Sequence, residues 1–453
     1  MGPADLLLYA LLILIKKTIE VLPRKTALGL GSFAGSAAYL LLPRRRGITL
    51  ENLRRAFPDR GEPWCRITGR SVFENLGRNV IELLKYASGR YFDAVRATGT
   101  GNLEGGSIIV TGHLGHWEIT GMNLAVSGIE LHPLARRVHN PAFERIVRDL
   151  RTSFGGEVIR NRNSLKEVLR KLRRSGNIYM LVDQRIKSGI PVPFMGRPVW
   201  ATHLPSVLYR KTGVKVIPAS SRHTEDGIHI EYGKPFDFVS GDDPLKADFI
   251  NTGIQMKWLE DKVRSDPREW FWLHNFWKGR WRAVFIDRDG TINRDTGYVS
   301  DKESFEILPG ALEGIRLLRK AGYLIVIVTN QSGIARGYYS EADYRRLTGY
   351  MLELFSREGV IVDRVLHCPH HPDDGCSCRK PRTGMGLSAA ADLNIDLGSS
   401  FVVGDKLSDV SFGRSLSAGT VLIGNDRGSR DSGCAPDHTA STLLEAAEII
   451  TSP

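Results

Sequence analysis

The sequence predicts an α/β protein built as two α/β domains, and three observations predict it. Short apolar strands alternate with helical stretches of 3.6-residue spacing, the pattern of sheets covered by helices. Charge divides the chain: residues 1–282 hold 44 Lys/Arg against 27 Asp/Glu, net +17, and residues 283–453 hold 18 against 23, net −5. At 453 residues there is enough chain for two or three domains with sizeable cores. The expected domains are 1–280, with 1–45 associating with a membrane, and 283–453. No Gly/Ser/Pro linker parts them, because Trp270-Phe271-Trp272 through Trp281 reads as structured.

The amino terminus carries Leu6 to Ile15, an unbroken apolar run followed by Lys16-Lys17. Ten residues fall short of the roughly 20 that cross a bilayer core, and no basic residue precedes them as a signal peptide requires. A second stretch, Ala27 to Leu42, is rich in Gly and Ala and ends at Pro43-Arg44-Arg45-Arg46. The expectation is apolar helices dipping into the cytoplasmic leaflet of a membrane, with Lys/Arg at the headgroups. The alternative is a pair of buried core helices. The basic half shows no zinc finger, basic-aromatic RNA signature or basic dimer helix, so it is read as meeting an anionic membrane or an acidic carrier protein rather than nucleic acid.

In the first domain, Val72 to Ala87 has helical spacing, Ser107 to Val110 is a short buried strand, Ser164 to Arg174 is a basic amphipathic helix, and Ile178 to Val182 is an apolar strand. The strand ending at Val110 leads into Thr111-Gly112-His113-Leu114-Gly115-His116-Trp117-Glu118. A His followed five positions later by Glu, across a strand-to-helix turn, can form a pair in which the carboxylate fixes the tautomer and the imidazole takes a hydroxyl proton. His116 is read as a neighbour, not the base. His274 is read as a core histidine capping an aromatic cluster.

The second domain opens with the strand Val284 to Ile286 and continues through a helix, Ala311 to Ala321, to the strand Leu324 to Val328. Asp287 and Asp289 follow the first strand, where two carboxylates can reach the crevice in which α/β sheets bind ligands. One can attack phosphorus while the other protonates the leaving alkoxide. A hard cation, Mg2+, is needed to offset the charge. Its expected ligands are Asp287, Asp289 and Asp405, the last at the end of Phe401-Val402-Val403. Thr329 offers a hydroxyl to a phosphate oxygen, and Lys380 supplies positive charge. Between them, Cys368-Pro369-His370 and Cys376-Ser377-Cys378 place four N/S ligands on one short loop, the set a structural Zn2+ requires, with His371 outside it. The other two of the five cysteines, Cys65 and Cys434, stand alone, a usage that suits a reducing compartment.

These residues carry two resemblances. Asp287-Arg288-Asp289-Gly290-Thr291-Ile292-Asn293, Asp295-Thr296-Gly297-Tyr298, Thr329-Asn330-Gln331-Ser332-Gly333-Ile334-Ala335-Arg336-Gly337, the Cys/His loop through Arg379-Lys380-Pro381, and Gly404-Asp405-Lys406 resemble the D-glycero-D-manno-heptose 1,7-bisphosphate 7-phosphatases of the haloacid dehalogenase superfamily. That resemblance implies a Rossmann-like capless domain acting on heptose bisphosphate. Asp287 would be nucleophile and Asp289 acid/base, with Thr329 and Lys380 stabilising the transition state. Asp295, Tyr298, Asn330, Gln331, Ser332, Arg379 and Lys406 would contact substrate, and Cys368, His370, Cys376 and Cys378 would bind zinc. The zinc-containing histidinol-phosphate phosphatases are the rival, against which the stretch from Gln331 to Gly337 argues.

His113-x4-Glu118, Arg136-Arg137-Val138-His139-Asn140-Pro141, Val182-Asp183-Gln184, Pro193-Phe194-Met195-Gly196 and Trp270-Phe271-Trp272-Leu273-His274 resemble the lipid A late acyltransferases of the lysophospholipid acyltransferase superfamily. The resemblance implies a mixed sheet behind N-terminal membrane-associated helices, with His113 as base, Glu118 as its partner, and Arg136 and Asp183 in support. The donor would be acyl carrier protein and the acceptor a lipid A precursor. His116 replaces the family's commoner Asn, which leaves acyl-chain and acceptor preference open. Another glycolipid acyltransferase, or an inactive membrane anchor, is the alternative. The joint reading is a bifunctional enzyme of lipopolysaccharide synthesis at the inner membrane, both active sites facing the cytoplasm.

Overall fold

The computed structural model describes residues 3–89, 91–134, 145, 158–159, 164–184, 186, 189–274, 276–277, 281–424 and 435–452. Arg136 and its motif therefore lie outside the described residues, as does Cys434.

The chain divides into two compact units, 1–186 with 201–240 and 251–276, and 187–200 with 241–250 and 277–453. The first unit begins with helices Pro3–Val21, Arg24–Leu41, Pro43–Ala56 and Glu62–Ala87. The Gly/Ala content of the second helix has a local cause. Ala27, Gly31, Gly35 and Tyr39 recur every four residues on its buried stripe, and the backbone there meets the Glu62–Ala87 helix so closely that a Cβ at Gly77 would lie 2.0 Å from the Gly31 carbonyl oxygen. Its other face stays open, with Phe33 73% and Leu41 76% exposed. The second helix is thus half-buried, not fully buried as the alternative from sequence had it. No single described helix is long and apolar enough to cross a membrane; the only described pair that passes together is Arg24–Leu41 with Pro43–Ala56, bent by 93°.

The sheet of this unit contains β1 (Val95–Thr98), β2 (Ile108–Thr111), β3 (Leu131–Pro133), β4 (Asn177–Leu181), β7 (Val216–His223) and β8 (Ile228–Tyr232), in the order β1-β8-β7-β2-β4-β3. It is mixed, since β7 and β8 run antiparallel while the other pairs are parallel. Strand β2 is buried throughout and opens at its C-terminal end onto Gly112 and His113.

In the second unit β9 (Arg282–Ile286), β10 (Tyr323–Asn330), β11 (Arg364–Cys368), β12 (Phe401–Gly404), β13 (Gly419–Ile423) and β14 (His438–Ala440) form a parallel sheet in the order β11-β10-β9-β12-β13-β14. Val284, Ile286, Ile325 and Ile327 face one core and Ala283, Phe285, Leu324 and Val326 the other, as a parallel sheet covered on both sides requires. Strand β9 lies between β10 and β12, so the chain leaves it to either side, and the crevice at that reversal is where α/β sheets place ligands. Between β9 and β10 there is one helix, Ala311–Lys320, and no cap domain.

The expected boundary near residue 280 needs one refinement. The hairpin β5 (Ile190–Phe194) and β6 (Arg197–Ala201) turns through Met195 and Gly196, both with positive φ, and nearly all of it groups with the second unit. Arg319, fully buried, donates to the Pro191 carbonyl at 2.7 Å, and Trp200 stacks on Trp281 with centroids 5.4 Å apart. The hairpin packs on that unit's core through Trp200, which its place in the sequence does not disclose.

Candidate active sites

Four charged groups meet at the strand ends of the parallel sheet, two from strand ends, one from a helix and one, Lys380, from a loop. Asp287 leaves β9, Asp405 leaves β12, and Asp409 lies one turn further on the helix Leu407–Ser415. One carboxylate oxygen from each lies within 4.8 Å of the others. Lys380 Nζ reaches Asp287 Oδ1 at 2.9 Å and Asp409 Oδ1 at 2.6 Å, and donates to the Val328 carbonyl at 2.8 Å. Burial raises the Asp287 carboxyl to about 7; the Lys380 ammonium opposes this, and Asp409 and Asp405 add to it. Burial likewise lifts Asp405 to about 6. The Asp405 Oδ1 oxygen is buried without a hydrogen-bond partner. Crowded, dehydrated carboxylates with an oxygen to spare fit a hard divalent cation. Gly290, at φ +81°, is required beside them, because a Cβ there would sit 2.2 Å from Asp405 Oδ2.

Asp289 is held differently. Its Oδ1 accepts from Arg288 Nε at 2.9 Å and Asn293 Nδ2 at 3.0 Å, and its Oδ2 accepts from Arg288 Nη2 at 2.9 Å and Gln331 Nε2 at 2.8 Å. Gln331 also donates to Thr329 Oγ1 at 2.7 Å and accepts from the Tyr339 hydroxyl at 2.5 Å. The cavity, about 360 Å³, is lined by Asp287, Asp289, Thr329 and Lys380 together with Asp295, Tyr298, Asn330, Gln331, Ser332, Arg379 and Lys406, the positions that the sequence of the second domain offers for reaction and substrate contact.

The cysteine loop follows β11. Cys368 Sγ lies 3.5 Å from Cys376 Sγ, Cys378 Sγ lies 3.6 Å from Cys376 Sγ, and His370 Nδ1 lies 3.6 and 3.2 Å from Cys368 and Cys378. Ligands about 2.3 Å from one tetrahedral centre would be separated by about 3.8 Å, so the four atoms are grouped closely enough to hold one metal ion. Asn330 pins the far end of the loop: its side chain accepts from the Lys380 N–H at 3.0 Å and donates to the Lys380 carbonyl at 3.2 Å.

In the first unit His113 follows β2, its ring edge against Trp117, with Phe271 and His274 also in ring contact. The carboxylate on its Nδ1 belongs to Asp183, just past β4, at 2.8 Å. Asp183 also accepts the His113 backbone N–H at 2.6 Å and the Trp270 indole N–H at 2.8 Å. Burial would raise the Asp183 carboxyl, but the charge and hydrogen bonds of His113 outweigh it and hold it low.

Comparison with known proteins follows the same division. A family model described as bacterial lipid A biosynthesis acyltransferase matches residues 4–279, and a HAD-hydrolase-like model matches 377–446. A D-glycero-alpha-D-manno-heptose-1,7-bisphosphate 7-phosphatase from Burkholderia mallei is 47% identical over 153 residues, 32% of this chain and 81% of the relative. The beta-named enzyme of Pasteurella multocida is 45% identical over 149 residues, 31% of this chain and 81% of the relative. The chain belongs to the bacterial lipid A biosynthesis acyltransferases and, through its last third, to the heptose-1,7-bisphosphate 7-phosphatases. Among solved structures, D,D-heptose 1,7-bisphosphate phosphatase from B. bronchiseptica, complexed with magnesium and phosphate, is 34% identical, with a TM-score of 0.35 over 37% of this chain and 97% of that one.

Within these families the geometry reassigns several residues. Asp289, expected among the cation ligands, spends both side-chain oxygens on Arg288, Asn293 and Gln331; Asp409 takes its place in the carboxylate cluster. The signal for Asp409 was its spacing: four residues after Asp405 and just inside a helix, it is turned back toward the strand end. Gln331 and Asn330, expected to bind substrate, commit their amides to Asp289 and to the Lys380 backbone. In the acyltransferase part, Asp183 rather than Glu118 is seated on the His113 imidazole. Glu118 lies half-buried in the first turn of the helix Trp117–Val126. His116 is buried against the Asn79 carbonyl at 2.8 Å, with burial pulling it down to about 4, which suits a neighbour and not a base. His274 is exposed, its ring 5.5 Å from that of His113, so it is not the core histidine the aromatic run suggested.

Proposed function

We propose that the C-terminal part removes the 7-phosphate of D-glycero-D-manno-heptose 1,7-bisphosphate through a phospho-aspartyl intermediate, and that the N-terminal part transfers an acyl chain from acyl carrier protein to a hydroxyl of a lipid A precursor. The observation that carries the first half is the convergence of Asp287, Asp405, Asp409 and Lys380 at the mouth of the parallel sheet. Mg2+ held by those carboxylates would screen nucleophile and phosphate from one another. Asp287 attacks phosphorus, and the bond from phosphorus to the sugar oxygen breaks. Asp289 gives its proton to the departing alkoxide, then takes one from the water that hydrolyses the acyl phosphate. Lys380 and Thr329 neutralise and orient the transferring oxygens. Zn2+ on Cys368, His370, Cys376 and Cys378 is structural in this reading and keeps Arg379 and Lys380 aimed into the cavity.

For acyl transfer, His113 takes the proton of the acceptor hydroxyl as it attacks the thioester carbonyl, and the thiolate leaves. The acidic carrier and the anionic acceptor both suit a half of net charge +17. The site of action is the cytoplasmic face of the inner membrane. Phosphate release from heptose bisphosphate, measured beside histidinol phosphate and with Asp287→Asn as the blank, tests the phosphatase; faster turnover of histidinol phosphate would replace the substrate assignment. Acyl transfer from acyl carrier protein to a lipid A precursor, lost in His113→Ala, tests the acyltransferase.

A further inference from the structure

The loop that carries His113 is held from three directions, and one side chain outside the proposed reaction ties the three together. The first support is β7. There Ser221 Oγ accepts the His116 N–H at 2.7 Å, and a Cβ on Gly115, at φ +56°, would sit 2.0 Å from the Ser221 carbonyl oxygen. The second is the Glu62–Ala87 helix, from which Asn79 Nδ2 donates to the Gly115 carbonyl at 2.9 Å. The third is the stretch 269–271. The Gly115 N–H donates to the Glu269 carbonyl at 2.8 Å, and the Phe271 N–H donates to the His113 carbonyl at 3.0 Å. Between those bonds Leu114 and Trp270 form an antiparallel bridge, and the Trp270 indole holds Asp183.

His223 stands on β7, two residues beyond Ser221, and its ring nitrogens reach the other two supports. Nε2 meets Glu82 Oε2 at 2.9 Å, about one turn beyond Asn79 on the helix. Nδ1 lies 3.1 Å from both side-chain oxygens of Glu269. The group is withdrawn from water, with 19% of the His223 side chain exposed, 1% of Glu82 and 8% of Glu269. Arg24 also reaches Glu82, at 3.5 Å. Burial opposes the imidazolium, but Glu269 and Glu82 outweigh it and raise His223 to about 10, so the ring is a cation that donates through both nitrogens. Packed apolar side chains of like volume often stabilise a fold as well as a buried ion cluster does. What the cluster adds is direction: two ring N–H bonds set where the helix and the 269–271 stretch lie against β7.

We infer that His223, acting through Glu269, is a positioning residue for acyl transfer, fixing the 269–271 stretch on the His113 loop and with it the Trp270–Asp183–His113 chain of hydrogen bonds. The inference deepens the acyltransferase reading and rests on it. His113 moves the proton; His223 handles none and holds the frame in which that proton moves.

The test uses the full-length protein, with a labelled acyl carrier protein thioester as donor and a lipid A precursor as acceptor. His223→Gln and Glu269→Gln each remove one charge at little cost in volume. Both are expected to lower kcat about 10- to 100-fold while changing KM for the donor less than about twofold, as misplaced reacting groups do and lost binding does not. His223→Arg supplies a cation with donors in two directions and should recover most of the loss. A double-mutant cycle with Asp183→Asn then asks whether the two residues act as a unit. In the Asp183→Asn background, His223→Gln should cost less than about twofold. Losses that multiply in the cycle, an unchanged kcat in both glutamine variants, or His223→Arg as impaired as His223→Gln would each overturn the inference. Hydrogen exchange of the β2 amides should be the same in wild type and variants; exchange that quickens in step with lost activity would assign the loss to the fold and overturn it too. Failure of the acyltransferase reading shows in the unsubstituted protein, as no acyl transfer at all, and takes this inference with it; failure of the positioning role shows in the variants of an active enzyme.

Discussion

Asp183 has three hydrogen bonds, two from His113 and one from Trp270, and each does separate work. The bond to Nδ1 fixes the tautomer and with it the nitrogen that accepts a proton, the backbone bond fixes the ring's origin, and the indole holds the carboxylate in place. Asp183→Asn keeps the shape but offers an amide where a carboxylate stabilised the imidazolium. Acyl transfer should fall by about 10²- to 10⁴-fold, and by more than in Glu118→Gln, as measured with labelled acyl carrier protein. Equal losses in the two variants would return the partner's role to Glu118. The sequence could nominate Asp183 but not seat it, because positions 113 and 183 meet only through the pairing of β2 with β4. Asp289 has the opposite history: adjacency to Asp287 suggested a cation ligand, and the neighbouring Arg288 fork captured its carboxylate instead.

At the scale of elements, the strands were readable because continuous apolar runs that end in a polar site residue, Asp287, Thr329 or Asp405, admit few other structures; β9, β10 and β12 all lie where such runs stand. The hairpin β5–β6 was not readable as part of the second unit, since Arg319 and Trp281, which receive it, are 80 or more positions away in sequence. The cysteine loop shows both cases: its four N/S side chains are local and legible, while its attachment through Asn330 is not. The proposal of zinc on that loop gives a direct expectation. Elemental analysis of the purified protein should find about one zinc per chain, and Cys376→Ser should lose it. Hydrogen exchange over 368–380 should then accelerate, and phosphatase turnover should fall as Lys380 loses its support. Retained zinc in that variant would remove Cys376 from the ligand set. A second element-level tie is His223 on β7, whose Nε2 meets Glu82 of the Glu62–Ala87 helix at 2.9 Å and whose Nδ1 meets Glu269 at 3.1 Å. Burial opposes its charge, but the two carboxylates outweigh burial and raise it to about 10. A raised folded-state value means the stabilisation is complete below the unfolded value near 6.5 and is lost as pH rises through about 10. The loss is on the order of a few kcal/mol, at roughly 1.4 kcal/mol per unit of difference. Melting curves between pH 6.5 and 10 should show it, and His223→Gln should flatten the decline. The same slope in wild type and variant would mean the triad contributes nothing.

Over the whole molecule, two charge regimes share one chain, +17 before residue 283 and −5 after it. That contrast was visible in composition, and so was an apolar N-terminus; what composition could not separate was packing from exposure. Gly31 and Gly35 serve the helix crossing, whereas Leu30, Phe33, Leu40 and Leu41 remain 50–76% exposed, followed directly by Arg44, Arg45 and Arg46. Apolar side chains beside a cationic run have the chemistry of an interfacial contact with an anionic bilayer. The full-length protein should therefore co-sediment with vesicles rich in anionic phospholipid and much less with neutral ones. Binding should weaken as salt shortens the screening length from about 10 Å at 0.1 M to about 3 Å at 1 M. Each basic residue near such a surface contributes about 1 kcal/mol, so replacing Arg44, Arg45 and Arg46 by Gln should cost on the order of 100-fold in vesicle affinity. Phe33→Ser with Leu41→Ser should weaken binding at every salt concentration, because apolar insertion is not screened. Heptose bisphosphate turnover in these variants should stay at the wild-type level, since the phosphatase site draws on none of these residues. Equal affinity for neutral and anionic vesicles would refute the electrostatic part of this reading, and no binding to either would refute it entirely.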